Sequence, residues 1–500
     1  MFNGLAWARR PGIFSNESGN VGIIFAFSAI PLIGLMGGAV DVTRQQRYKA
    51  EIANAMDAAA IALARQPAMK KPEADAFVNR YVESVIGKPD ASVHLPGFET
   101  EKTESGYVVS VEATMDTAFL PLLGFATLPI DLTTEVASSA GKYEIALALD
   151  NTGSMAQNGK IQALRKSAGE LVDTLYAEEG SEDRVKVALV PFVTAVNIRG
   201  KAFDWSWIER KGADDPYGFA FEGGKAVDRI ALFAKMGSEW DGCVEARTSG
   251  YDETDEAPVD AATRWVPYLW PDEPDSSYHS YLADGVSGDY WTRLRDLSKY
   301  GKKVKVNDPR TGGPNLACPR PVVELTDDVS RIKGEITQMQ PHPASGTNIA
   351  QGLVWAWRVL SPEAPFTEGV AYSDKETTKV LVLLSDGFNQ GVGSSAPVKS
   401  DYTSYGYLAQ KRLGSDTIEG AERATDKKVS RICESVKAKG IRVYTILFQV
   451  NAASIQDVFR TCASTGEDGE PLYYYAPDAA TLQTAFEDIG DDLTTLRITR

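Results

Sequence analysis

The sequence predicts an α/β fold: a doubly wound, mostly parallel, Rossmann-like sheet with a long insert. A transmembrane helix and a small α+β membrane-proximal domain precede it. Three observations predict this order. Apolar runs at 144–149, 185–192, 379–384 and 441–450 read as buried strands, separated by stretches of helical periodicity. Residues 21–40 are twenty consecutive uncharged, mostly apolar positions, the length of a bilayer-spanning helix. Between the two lies a stretch that alternates apolar and polar residues in strand fashion.

Residues 1–20 form the expected cytoplasmic N-terminus. Arg9 and Arg10 precede the apolar run with only Glu17 against them, so the positive-inside rule places everything after residue 41 outside the cytoplasm. A cleavable signal peptide is the rival reading. The run is long for one, and the helical pattern continues past Val40, so a retained single-pass anchor is expected in the inner (cytoplasmic) membrane. Pro31 would kink the span, which membrane helices tolerate. Residues 41–65 continue the helix, with Ile52, Met56, Ala59 and Leu63 as a narrow apolar stripe and many alanines favouring helix. Gln66-Pro67 ends it, which bounds the segment at 21–66. Residues 67–140 are the membrane-proximal region, with strands at 107–113 and 130–137 for the helix to pack on.

Residues 141–500 form the α/β domain. Ile161, Leu164, Ala168, Leu171 and Leu175 make one apolar helix face, and Leu482, Phe486, Ile489, Leu493 and Leu496 another. Core packing accounts for both. Residues 199–321 interrupt the alternation and hold six of the nine tryptophans: Trp205, Trp207, Trp240, Trp265, Trp270 and Trp291. This stretch is too long for a plain loop and reads as an inserted subdomain whose aromatics form its own core. A sugar- or protein-binding surface is the alternative. The acidic tracts 252–256 and 272–275 lack the spacing of a calcium loop and read as solvated.

A net charge of −16 with no offsetting basic cluster argues against nucleic-acid binding. The four cysteines, Cys243, Cys318, Cys433 and Cys462, suit an oxidising compartment. Three pairings are possible; Cys243–Cys318 and Cys433–Cys462 keep each pair within one segment. No spacing suits zinc.

The chemistry concentrates at strand ends. The first apolar run closes on Asp150-Asn151-Thr152-Gly153-Ser154, a later one on Ser385-Asp386-Gly387, and Ser345-Gly346-Thr347-Asn348 lies between them. In an open parallel sheet such ends share a crevice. Asp150, Thr152, Ser154, Thr347 and Asp386 then supply about five hard oxygens, a set suited to Mg2+, Mn2+ or Ca2+. Hydroxyls in place of further carboxylates leave the ion electron-poor, ready to take a carboxylate from a partner. A hydrolase with Asp150 as nucleophile is the rival. Thr152 stands where a phosphatase of that type needs its second acid; of the three histidines, His94, His279 and His342, the last sits near Thr347 in sequence with no obvious serine or cysteine partner and reads as a polar loop residue after Pro341. No GxSxG, HExxH or phosphate loop occurs.

These three segments, in this order, resemble the DxSxS, threonine and T/S-D-G motifs of von Willebrand factor A domains. The resemblance implies a metal-ion-dependent adhesion site at Asp150, Thr152, Ser154, Thr347 and Asp386, and no enzyme. It also implies coupling between that site and the last helix, at 479–497. Thr152 departs from the commoner serine, and the long insert lies outside the family pattern. Gly19-Asn20-Val21-Gly22-Ile23-Ile24-Phe25-Ala26 and Gly38-Ala39-Val40-Asp41-Val42 are similar to the Tad (tight adherence) TadG-like pilus-assembly family, which joins one N-terminal membrane helix to a C-terminal von Willebrand A domain. Ile24 stands where prepilin processing after Gly19 would want glutamate, so the anchor is retained. Together these imply a membrane-anchored, non-enzymatic pilus-assembly or adhesion protein. Its partners would be other pilus-assembly components or a surface ligand offering a carboxylate. A minor-pilin-like subunit, packing through 21–66, is the alternative.

Overall fold

The computed structural model describes residues 18–499 except 65, 67–68, 89, 104–105, 138–141, 178–180, 277–278, 344–345 and 392–396; the side chains at 18–23, 26, 30 and 495–499 also fall outside it. The expectations resting on Arg9, Arg10 and Glu17, and the Leu496 position of the last helix face, lie outside the described residues. The chain divides into two compact units, Met1–Ser139 with Ile498–Arg500, and Ala140–Arg497.

In the first unit a single helix, α1 (Ser18–Ala64), runs through Pro31 and joins the expected span to the alanine-rich half. Among the described residues no helix is long and apolar enough to cross a membrane. Part of the expected span, at 21–23, 26 and 30, lies outside the described side chains. The buried stripe is Ile52, Ala55, Met56, Ala59, Ala60 and Leu63, at helical spacing. It packs on α2 (Lys71–Ile86), which buries Ala74, Val78 and Val82, and on a small antiparallel sheet. That sheet holds β1 (Val93–His94), β2 (Glu99–Lys102), β3 (Gly106–Asp116) and β4 (Thr127–Ala137). β3 and β4 pair along their whole length, and β3 pairs with β1 and β2 in turn. Val109, Val111, Ala113 and Met115 alternate toward the helices, as a half-buried strand requires.

The second unit is a doubly wound sheet. Its strands are β5 (Lys142–Asp150), β6 (Val185–Phe192), β7 (Val196–Asn197), β8 (Cys243–Val244), β9 (Val323–Thr326), β10 (Thr377–Ser385), β11 (Arg442–Phe448) and β12 (Tyr473–Ala476). The order is β12-β11-β10-β5-β6-β7-β8, with β9 also on β6. The five strands from β12 to β6 are parallel; β7, β8 and β9 pair antiparallel.

Both faces of this sheet are covered, which is why its central strands are continuous apolar runs. On one face, Ile145, Leu147 and Leu149 meet α3 (Lys160–Leu175), α7 (Val329–Gln338) and α11 (Ala479–Thr499). On the other, Ala146 and Ala148 leave room for α8 (Ile349–Leu360), α9 (Ile418–Ala438) and α10 (Ala453–Cys462). Disulfides join Cys243 to Cys318 and Cys433 to Cys462, with Cα separations of 5.6 and 5.0 Å.

The insert, with short helices α4 (Asp214–Tyr217), α5 (Arg229–Lys235) and α6 (Tyr290–Arg295), is not a separate subdomain. β7 opens it and β8 lies inside it, so the insert extends the main sheet, and Trp207, Trp240 and Trp265 pack in the same cluster as α8. Trp265 lies 4.7 Å, ring to ring, from Trp355 of α8. Trp205 is the one exposed large-ring member of the six, so the aromatics serve the core. The acidic tracts are only partly solvated: Glu256 and Asp275 are exposed, but Asp252, Glu253, Asp272 and Glu273 are withdrawn. Asp252 is buried against Lys428 of α9 at 2.8 Å, and Glu253 bonds Lys428 and Arg431. Asp272 is buried beside Lys299, and Glu273 accepts from Trp270 and Tyr407. Asp252, Glu253 and Asp272 neutralise cations distant in sequence, which no local pattern reveals.

Candidate metal-binding site at the ends of β5 and β10

β5 sits where the strand order reverses: the chain leaves it toward β6 on one side and returns as β10 on the other. Such a switch point opens a crevice at the carboxyl ends of the strands. The register pairs Leu149 with Leu384, so Asp150 and Ser385 finish their strands together. Asp150 has no exposed surface. Its Oδ1 accepts from the Thr152 backbone N–H at 2.8 Å, and its Oδ2 from the Ser385 hydroxyl at 2.5 Å.

A short turn, Gly153–Ala156, then folds back over the acid. It brings the Ser154 hydroxyl to Asp386 Oδ1, donating at 2.6 Å, and sets it 3.1 Å from the Thr152 hydroxyl. Gly153 is required by close approach: a Cβ there would lie 2.9 Å from Pro343 Cα. Thr347 arrives on another loop, its backbone paired both ways with Gln390 at 2.9 and 3.0 Å. Its hydroxyl faces Gly387, 3.8 Å from where a Cβ would stand. Gly346 has no alternative, because any side chain would overlap the Gln390 carbonyl. Asp150, Thr152, Ser154 and Asp386 thus form one bonded network, and Thr347 closes its edge. Ser154 and Gly387 are half-buried, and Phe388 and Gln390 are exposed, so the rim opens to solvent.

Two carboxylates are brought close together in this crevice. Burial, and then the nearby charge of Asp386, push the Asp150 carboxyl up to about 7, against the pull of its bonds to Ser385 and Thr152. Lys160, the first residue of α3, donates to Asp386 Oδ2 at 2.6 Å. Sequence reasoning missed it, since a lysine opening an amphipathic helix reads as solvent-facing. His342 is buried, not an open loop residue. Its backbone N–H donates to Asn151 at 2.9 Å and its Nδ1 lies 3.1 Å from the Pro309 carbonyl. Burial lowers it to about 4, so it is neutral. It also lines a neighbouring cavity of about 520 Å3 with Arg199, Arg310 and Arg320. Among the described residues no group of three or more His, Cys, Asp or Glu gathers. The crevice gathers two carboxylates and three hydroxyls, oxygen groups of the kind hard cations prefer.

No curated protein matches the chain. Among solved structures it is similar to the pilus adhesin SpaC from Lactobacillus rhamnosus GG, with 13% identity over 82% of this chain and 35% of that one, at a TM-score of 0.33. The chain thus spans about a third of that adhesin's length. It is also similar to the PilB minor pilin from Streptococcus sanguinis, with 14% identity over 82% of this chain and 80% of that one, TM-score 0.32. A third is the vWF domain of the type V pili tip protein Mfa5 from Porphyromonas gingivalis, with 9% identity over 70% of this chain and 95% of that one, TM-score 0.33. Residues 19–66, most of α1, match the family described as "Putative Flp pilus-assembly TadE/G-like".

Proposed function

We propose that this chain is a cell-envelope, pilus-associated, non-enzymatic adhesion or assembly protein of the TadG-like kind. Its first unit anchors it through the apolar half of α1. Its second unit is a von Willebrand A-like domain that binds a divalent cation and captures a partner carboxylate. The observation that carries this reading is the convergence of Asp150, Thr152, Ser154, Thr347 and Asp386 at two adjacent strand ends. The family match over α1 supports the pilus context.

The residues fit the ion. Those five side chains would hold it, all with hard oxygen atoms, and the two buried carboxylates need positive charge beyond Lys160. When bound, Mg2+, or Mn2+ or Ca2+ in its place, supplies an open position for an anionic oxygen. The chain's own residues orient the ligands: Ser385 holds Asp150, the Gly153 turn sets Ser154, and the Thr347–Gln390 pairing sets the threonine.

The apolar exposure of Phe25, Phe27, Leu35 and Met36 supports the membrane anchor. The hydrolase reading draws no support from His342, which is buried with its backbone N–H on Asn151 and its Nδ1 beside the Pro309 carbonyl. The full-length chain in detergent, titrated with MnCl2 in a calorimeter, tests the site. Saturable heat lost in D386A supports it, and wild type with no heat at millimolar Mn2+ overturns it.

A further inference from the structure

The segment joining β3 to β4 carries a second apolar surface that the fold does not use. No charged residue occurs between Asp116 and Asp131. The segment forms a short turn, Leu120–Leu123, closed by Thr117 N–H donating to the Ala126 carbonyl at 3.0 Å and by Phe125 N–H to Leu120 at 3.1 Å. Leu122 is 67% exposed and Phe125 60%, and Phe119 and Leu123 are also exposed. An apolar tip of this kind on a soluble surface is unfavourable, and it marks an interaction site.

Its position says what covers it. The turn docks on one face of α1 at Gly34, Gly37 and Gly38, all buried. A Cβ at Gly38 would lie 2.9 Å from Leu120 Cδ2, one at Gly34 3.3 Å from Leu123 Cδ2, and one at Gly37 would overlap the Phe119 side chain. Those glycines let the turn lie flush against the helix. Asp41, one turn further along the same face and fully buried, locks it: its carboxylate accepts from the backbone N–H groups of Ala118, Phe119 and Leu120 at 3.0, 2.8 and 2.9 Å.

The other faces of α1 at this level expose Leu32, Ile33, Leu35, Met36 and Val40, and no charge occurs on the chain between Glu17 and Asp41. The turn and the helix therefore present one continuous uncharged surface. Gly34 lies about 10 Å beyond Asp41 along the axis at 1.5 Å per residue. That is the depth to which interfacial apolar elements enter a bilayer.

We propose that Phe119–Phe125 is a second membrane-inserting element, a wedge that enters the leaflet α1 leaves at Asp41 and buries Phe119, Leu122, Leu123 and Phe125 among acyl chains. This rests on the reading of α1 as a membrane anchor. Two attachment points fix the first unit's tilt and rotation on the bilayer, which a lone helix would leave free.

The test uses the full-length chain in phosphatidylcholine vesicles, with an environment-sensitive fluorophore on single added cysteines. The four native cysteines are in disulfides and stay unlabelled. Labels go on L122C, F125C, F27C of α1 and V85C of α2, all at exposed positions. The wedge predicts that nitroxide-labelled lipid removes more than half the emission at 27, 122 and 125, and leaves 85 unchanged. Quenching at 27 with none at 122 and 125 overturns the wedge and leaves the anchor standing. No quenching at 27 overturns the anchor, and the wedge with it. Shielding at 122 without lipid quenching, accompanied by 122–122 crosslinks between chains, assigns the surface to a second copy and overturns the wedge.

Discussion

The Lys160 ammonium lies 2.6 Å from Asp386 Oδ2, with both side chains withdrawn from solvent. A lysine at a helix N-terminus opposes the helix dipole, so its place there is explained by the acid it meets. It balances one of the two carboxylates in the crevice while the other, Asp150, is held up to about 7 by burial and by Asp386. A fixed positive charge this close repels an incoming divalent ion. K160M is therefore expected to bind Mn2+ about tenfold more tightly, equivalent to ~1.4 kcal/mol. Calorimetry on full-length protein reads it, and unchanged or weaker affinity refutes it.

The same substitution leaves Asp386 buried without its cation. Metal-free K160M should lose about 3 kcal/mol of stability, the usual scale for breaking one side of a buried pair. Saturating Mg2+ should restore most of it. Urea melts with and without Mg2+ measure both effects.

Gly346 tests geometry without touching a ligand. Its Cβ would overlap the Gln390 carbonyl, so G346A must push Thr347 out of register with Gln390. The expected outcome is a loss of about 1–3 kcal/mol in stability, with Mn2+ affinity reduced in parallel. Normal affinity in G346A would remove Thr347 from the ligand set.

Asp41 supplies a pH dependence in the first unit. Burial raises its carboxyl, and three backbone N–H bonds with Arg44 outweigh that, leaving it below the usual aspartate value of 3.8. A lowered folded-state value means stability is present above the unfolded value and lost as pH falls through the folded one. The docking of 118–120 should thus hold at neutral pH and loosen below about pH 4. D41N should cost about 1 kcal/mol, the scale of weakening hydrogen bonds to a charged acceptor. Hydrogen exchange at the Phe119 and Leu120 amides should be faster in D41N at pH 7; unchanged exchange would contradict the lock.

The Cys433–Cys462 bridge ties α9 to α10 across 29 residues. Replacing both cysteines with alanine should lower stability by about 3.6 kcal/mol, by the chain-entropy relation. Thermal melts of the variant, beside wild type with and without reductant, give the value.

Much of the second unit is legible in sequence because its central strands are covered on both faces. β5, β6, β10 and β11 appear as apolar runs; the structure keeps the ends of β6 and moves those of the other three by one or two residues. Asp150 stands out because it directly follows such a run, and Asp386 because only Ser385 separates it from one. What stays hidden depends on distant partners. Lys160 meets Asp386 only when α3 returns along the sheet. His342 is buried by Pro309 and by Asn151, neither near it in sequence. The insert has no helical or strand period, so nothing local announces that β8 joins the sheet or that Asp252 pairs with Lys428.

That last pairing decides what can be cut away. Asp252 and Glu253 neutralise Lys428 and Arg431 on α9, while Trp265 seals α8 and β8 covers the edge of β7. Excising 199–321 would strip cations, tryptophans and a sheet edge of their cover at once. The long excursion is a keystone of the domain, and no minimal version of the crevice lacking it should be obtainable in folded form.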